Sequence, residues 1–419
     1  MPGTLELVEQ PKDFGRSLFK FLILILLALL SCDYLRIPLG SFHLLYSRIY
    51  LSSFFVPVFG LFFLFLRPTV VPRKSVVLLL SLLHLWILIR IFTVDYISLK
   101  YPLCTFLNSV SGLFALLWVA PLVVHYQLER FTLISFTGFA SGISILGALH
   151  SGVAGIPEMG EVSILGENHM HIGLYMILNI GCISYLFSCY RRFRHRLLLV
   201  GALSLALLSI ILSGSRAGTM AGLLVIGAWV LLNNSAKVKV IALFMIPVVF
   251  AAFQWQMKHR AAETDTFAFY GFQVDYSLGY RFFMWYGLVQ LIFSNLSVFW
   301  FGVGYESLIT QFNKLVYFPV YSNAAHNIFV HVWAELGLIG FVLFFGSLAA
   351  LLLNLRQSKT AIRRAFIPTL LAILLTGLMQ ETLYGSYASS NFNTLFWMIM
   401  GIVITRNLEP PSRLELPTC

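Results

Sequence analysis

Apolar runs of roughly 20 residues recur along the chain, each closed by a short polar or basic stretch. At ~1.5 Å per residue such a run crosses the ~30 Å hydrocarbon core of a bilayer as a helix, which satisfies every backbone group internally. About twelve spans are expected, near 19–36, 45–66, 75–93, 104–125, 132–149, 171–189, 197–213, 217–233, 238–254, 326–353, 365–380 and 391–405. No long polar interval separates them, so residues 1–419 read as a single all-α, polytopic membrane domain. Glu6, Glu9 and Asp13 do not suit the basic start of a signal peptide, and the first run is expected to be a retained span.

The pattern changes in 255–325, between the ninth and tenth expected spans. Ser277 to Phe301 mixes aromatic and polar residues at helical spacing, with Trp285, Tyr286, Trp300 and Phe301 suited to a membrane interface. Short amphipathic helices on the bilayer surface are expected there, followed by a turn at Gly302-Val303-Gly304-Tyr305. Ala325 to Gly340 then opens a long apolar run with a histidine pair and a carboxylate. Read as one straight helix, it places His326, Trp333, Gly337 and Gly340 on one face, with both glycines open to a neighbouring backbone. Glu335 falls on the other side near His331, about half a membrane thickness below the first turn.

Composition agrees with the pattern: 59% of residues are hydrophobic and only 11% charged. That leaves too little polar surface for a soluble globule. The formal net charge of +11 reports orientation in a membrane protein, and no nucleic-acid partner is expected. Nineteen of the 28 basic residues fall at one set of alternate span ends: Lys12, Arg16, Lys20, Arg67, Arg73, Lys74, Arg130, Arg191, Arg192, Arg194, Arg196, Lys237, Lys239, Arg356, Lys359, Arg363, Arg364, Arg406 and Arg413. The positive-inside rule puts these ends and both termini in the cytoplasm, and 255–325 on the opposite, periplasmic side.

The basic residues on the other side are candidates for chemistry. Arg216 lies in the tight hairpin Ser213-Gly214-Ser215-Arg216-Ala217-Gly218, where backbone amides, the Ser215 hydroxyl and a guanidinium fork can approach an anion together. Arg281, in Gly279-Tyr280-Arg281, is embedded among aromatic residues, and its charge calls for an anionic partner. A lone arginine of this kind is more often a snorkelling anchor; two of them on the same side as His326 shift the reading towards a site. His326 has the chemistry of a general base, because an imidazole with a pKa near ~6.5 stays neutral and accepting under small shifts. Asn327 beside it is a polar contact for substrate, whereas His331 and Glu335 read as a structural pair. Asn168 and His169, in Gly166-Glu167-Asn168-His169-Met170-His171, form another outer polar cluster. Glu167, His169 and His171 lack a third strong ligand at zinc-like spacing, so neither a metal nor another cofactor is expected. Five scattered cysteines show no metal-binding pair.

His326-Asn327, followed after nine residues by Gly337-Leu338-Ile339-Gly340, resembles the signature of the bacterial O-antigen ligase family and its polysaccharide-polymerase relatives. Arg216 in its hairpin, the Gly279-Tyr280-Arg281 turn and the Asn168-His169 cluster resemble features of that family in the same order, within 160–405. The resemblance implies a GT-C-like glycosyltransferase of the bacterial inner membrane, working on the periplasmic side without nucleotide sugar or metal. Its donor would be polysaccharide on undecaprenyl diphosphate and its acceptor lipid A-core. Arg216 and Arg281 would hold the diphosphate, and His326 would deprotonate the acceptor hydroxyl. The absence of an evident pair of catalytic carboxylates points to direct, inverting displacement. A polymerase using a second lipid-linked glycan as acceptor is the near alternative. A lipid-linked-oligosaccharide flippase would need the cations and a polar lining through the membrane, but no base.

Overall fold

The computed structural model describes residues 11–32, 41–44, 47–66, 68, 72–94, 96, 99–153, 169–213, 216–232, 247, 251, 266–269, 272–308, 325–378, 383–384 and 390–406. The protein is helical: α1 (Pro11–Cys32), α2 (Leu51–Leu66), α3 (Lys74–Thr93), α4 (Lys100–Phe114), α5 (Ala120–His125), α6 (Glu129–Val153), α7 (His169–Cys189), α8 (Phe193–Leu212), α9 (Arg216–Leu232), α10 (Tyr276–Ser294), α11 (Leu296–Phe301), α12 (Ile328–Arg356), α13 (Thr360–Thr376) and α14 (Ser390–Arg406). Among the described residues six stretches are long and apolar enough to cross a membrane, and α2, α9 and α14 are shorter apolar helices. These agree with an all-α polytopic membrane protein; the expected ninth span, 238–254, lies outside the described residues apart from two positions.

Two antiparallel hairpins are additions that apolar periodicity did not announce: β1 (Ser41–Leu44) with β2 (Ser47–Tyr50), and β3 (Thr266–Phe269) with β4 (Phe272–Asp275). Four-residue strands carry too short an alternation to stand out beside long helical runs. β4 leads directly into α10, so the segment expected to hold only short helices contains a hairpin and a helix of 19 residues.

Burial orders the bundle. The apolar window of α7 is 83% buried, whereas that of α8 is only 22% buried, which makes α7 the central helix and α8 a lipid-facing one. α7 packs against α6, α8, α9 and α13. Gly181 admits Thr369, and Tyr185 meets Phe366 at 6.1 Å, so α13 runs antiparallel to α7. α4 continues through a π-helical turn, Ala115–Val119, into α5, where Pro121 follows within two residues. A proline has no N–H to return to the preceding turn, and a π-bulge is one way the ladder absorbs that loss. Trp118 of the bulge lies over Gly60 of α2, where a Cβ would stand 2.7 Å from the indole.

Polar side chains join α2, α3, α4 and α14. Ser52 donates to Asn391 Oδ1 at 2.5 Å, Ser53 to Asn108 Oδ1 at 3.1 Å, and Asn393 Nδ2 to the Ser109 carbonyl at 3.2 Å. Ser111 bonds Thr394, and Ser109 approaches His84 Nε2 at 3.4 Å. These are side-chain contacts between packed helices, the pattern of interhelical glue rather than of a lumen.

Candidate active site

α12 is broken in its first third. Gly337 has φ 68° and ψ −174°, a backbone region open essentially to glycine alone. The break is a reversal: Phe329 stacks on Phe345 at 4.5 Å and 8°, and Trp333 meets Phe341 at 5.4 Å. Each pair is equidistant from Gly337, and in a straight helix the outer pair would be ~24 Å apart along the axis. Ile328–Leu336 is therefore a short arm folded back on the long arm. The expectation of one helix with His326, Trp333, Gly337 and Gly340 on a common face is corrected by this geometry. Glu335 lies in the elbow, two residues from the reversal, instead of far down a straight span.

An elbow frees carbonyls that a membrane protein must satisfy internally. Here the Ala334 carbonyl accepts from Val303 N at 2.8 Å, Glu335 from Gly304 N at 2.9 Å, and Leu336 from the Trp86 indole of α3 at 2.9 Å. The donors come from the predicted glycine turn. Gly302 sits at φ 72° and ψ −179°, and Gly302 and Gly337 face each other so closely that a Cβ on either would overlap the opposite backbone. Arg90 ties α3 to the same point by donating to the Gly302 carbonyl at 3.0 Å. The expectation that the glycines admit another backbone holds at Gly337, and the visiting backbone is Trp300–Phe301.

Under the elbow, fully buried Glu335 accepts from the Tyr384 hydroxyl at 2.9 Å, and its other oxygen lies 3.4 Å from His331 Nε2. His331 stands edge-on to the Tyr384 ring at 5.3 Å. Tyr96, in the loop after α3, donates to the Tyr305 carbonyl at 2.7 Å. Burial, and then the nearby Glu335 charge, hold the Tyr96 phenol above its ordinary pKa and keep it protonated for that bond. A second enclosed carboxylate, Glu306, has φ 58° and was not singled out in the sequence, because Tyr305-Glu306-Ser307 reads as ordinary turn chemistry. Glu335 and Glu306 are 0% and 6% exposed, so both carboxylates are enclosed by the protein.

The short arm presents His326 at its tip. Asn327 is the helix N-cap, its Oδ1 accepting from Phe329 N at 3.0 Å and Val330 N at 3.2 Å, so that oxygen is committed to the helix. His326 precedes the cap with φ 51°, in the left-handed region that histidine enters more readily than most residues. Two further bonds hold the tip. Ile328 N donates to the Gly377 carbonyl at the end of α13 (2.8 Å), and the Trp285 indole of α10 donates to the Ala325 carbonyl (2.7 Å). Arg281 lies one helical turn before Trp285 on α10 and is partly buried.

The remaining candidates are placed by the course of the chain. Because α7 and α13 are antiparallel, the start of α7 at His169 shares an end with Gly377, and hence with Ile328. The turn at 190–192 reverses the chain into α8, which ends at Leu212, and α9 begins at Arg216 only four residues on, so Arg216 lies at that end as well. Arg216, Arg281, His326 and His169 thus gather at the end opposite the Arg191–Arg196 cluster. Ser215 and Asn168 lie outside the described residues. Arg216 is the first residue of α9, so the positive end of that helix dipole lies beside it, which suits an anion. Among the described residues no group of three His, Cys, Asp or Glu has the arrangement of a metal site.

Residues 201–345 match the O-antigen ligase family model, an interval that holds Arg216, Arg281, His326 and both elbow glycines and ends within the long arm of α12. No curated protein matches the chain significantly.

Proposed function

From the match of residues 201–345 to the O-antigen ligase family model, we propose that the protein transfers polysaccharide from undecaprenyl diphosphate to a sugar hydroxyl of lipid A-core. The gathering of Arg216, Arg281 and His326 at one end of the bundle supports this reading, with His326 at the tip of an arm pinned at both ends. In the proposed reaction the acceptor oxygen attacks the anomeric carbon while its proton passes to the His326 imidazole. The bond from that carbon to the phosphate oxygen breaks, the electron pair leaves with the lipid diphosphate, and the configuration inverts. Arg216 and Arg281 hold the diphosphate, and their hold strengthens as negative charge grows on the leaving oxygen, which is the part of the interaction that lowers the barrier. The same end is the periplasmic face, since the Arg191–Arg196 and Arg356–Arg364 clusters lie at the other. No metal enters the scheme.

A deletion strain tests the reaction. Loss of long polysaccharide from lipid A-core, with polymerised lipid-linked glycan accumulating, is the expected result. Caps of a single repeat would instead identify a polymerase, and lipid A-core bare of polysaccharide with unpolymerised glycan stranded on the cytoplasmic leaflet a flippase.

The donor site has its own test. Arg216→Ala and Arg281→Ala are each expected to reduce transfer by at least about tenfold, since a charge-assisted contact contributes roughly 1.5–3 kcal/mol. Lysine should rescue poorly, because it lacks the two-pronged guanidinium geometry. Near-normal transfer by both alanine variants at normal membrane levels rules out this donor site.

A further inference from the structure

At the end of the bundle away from His326, the turn before α8 and its first residues carry Arg191, Arg192, Arg194 and Arg196. The α12–α13 connection carries Arg356, Lys359, Arg363 and Arg364. The contact of Tyr185 with Phe366 puts both groups at one end, on helices that flank α9. All but Arg364 are exposed, and neither 190–196 nor 354–364 contains an acidic residue. Among the described residues none of these cations is in an ion pair. Crowded like charges of this kind raise one another's energy until an anion is bound.

The surface below the cations is apolar and open. On α8, Phe193, Leu197 and Leu198 are 78%, 59% and 72% exposed, and Leu231 at the end of α9 is 77% exposed. Aromatic residues bridge the two zones. The Arg196 guanidinium donates to the Tyr190 carbonyl at 2.9 Å and lies 5.1 Å from the Phe187 ring centre, and Phe187 meets Trp229 of α9 edge-on at 5.5 Å. Cations above an exposed hydrocarbon wall, with aromatic groups between, match a molecule with an anionic head and two apolar chains.

We propose that this collar binds anionic phospholipid, with phosphates among the α8 arginines and the Lys359–Arg364 group and acyl chains along Phe193, Leu197, Leu198 and Leu231. The site is separate from the His326 end and does not depend on the reaction proposed there. An acidic protein segment would find the same cations, but it would leave the hydrocarbon wall unused.

The protein in uncharged detergent, offered equal amounts of dioleoyl phosphatidylglycerol and dioleoyl phosphatidylcholine, should retain the anionic lipid in roughly tenfold excess or more, measured by native mass spectrometry. Half-molar salt should abolish the excess. The variant Arg192→Gln/Arg194→Gln/Arg363→Gln should lose most of it while unfolding at the wild-type temperature without lipid. If that variant fails to insert, Arg194→Gln alone is expected to lower the excess several-fold. Equal retention of the two lipids, or an unchanged excess in the folded variants, overturns the proposal. So does salt-sensitive capture of poly-glutamate in place of phosphatidylglycerol, which would assign the collar to an acidic protein.

Discussion

Replacing Gly337 by alanine should cost the protein its fold at the elbow, and with it both membrane abundance and activity. The added Cβ would overlap the carbonyl of Trp300, and no rotation relieves it, because the obstacle is backbone. The residue would also have to hold φ 68° and ψ −174°, which alone is on the order of 1–3 kcal/mol for a side-chain-bearing residue. Relaxing either strain moves the elbow carbonyls away from Val303 N, Gly304 N and the Trp86 indole, leaving polar groups unsatisfied at roughly 1–3 kcal/mol apiece. Gly302→Ala should fail in the same way, since it meets the Glu335 carbonyl from the other side. Gly138→Ala and Gly142→Ala are the contrast: both lie inside α6 with nothing within 4 Å of the added atom, and alanine is the better helix former. Thermal unfolding and membrane yield of the four variants in parallel provide the measurement. A Gly337→Ala protein with wild-type yield and melting temperature would show that the elbow is not a fixed feature.

At His326 the expected result is loss of turnover without loss of protein. Removing a general base lowers the rate by roughly 10²–10⁴-fold, and substrate binding through the arginines should persist. The backbone makes the choice of substitution important. With φ 51° the position penalises alanine, so His326→Ala mixes strain with lost chemistry. Asparagine enters the left-handed region at least as readily as histidine and cannot accept a proton near neutral pH, so His326→Asn isolates the imidazole. Wild-type activity should fall as pH drops through the imidazole's own pKa, because the base must be neutral to act; the Asn variant should be slow and lack that acid limb. A His326→Asn or His326→Gln enzyme with the wild-type rate and the same acid limb would sink the base assignment and leave the diphosphate site standing.

The sequence by itself determined the membrane character and most of the helices, because a chain in lipid has to close its own backbone hydrogen bonds and does so in apolar runs of recognisable length. It also determined the turn at Gly302 and Gly304, the pairing of His331 with Glu335 at one helical turn's spacing, and the rank of Arg216, Arg281 and His326 as the residues to examine. These are local matters, legible from spacing and residue type.

Tertiary structure alone decided where α12 turns back. A glycine inside an apolar run is ordinarily a tolerated helix residue at a cost of ~1 kcal/mol, and nothing near Gly337 in the chain says otherwise. The reversal becomes favourable because donors from elsewhere meet the carbonyls it exposes, one of them the Trp86 indole, 250 residues distant from the Leu336 carbonyl it serves. The same long-range contacts commit the Asn327 oxygen to a cap and set His326 at the tip of a pinned arm. They also enclose Glu335 beneath Tyr384, whose partnership spans 49 residues. Periodicity describes how one segment repeats along its own axis. Which distant group completes a broken backbone depends on the packing of the whole bundle, and that information is absent from any single run.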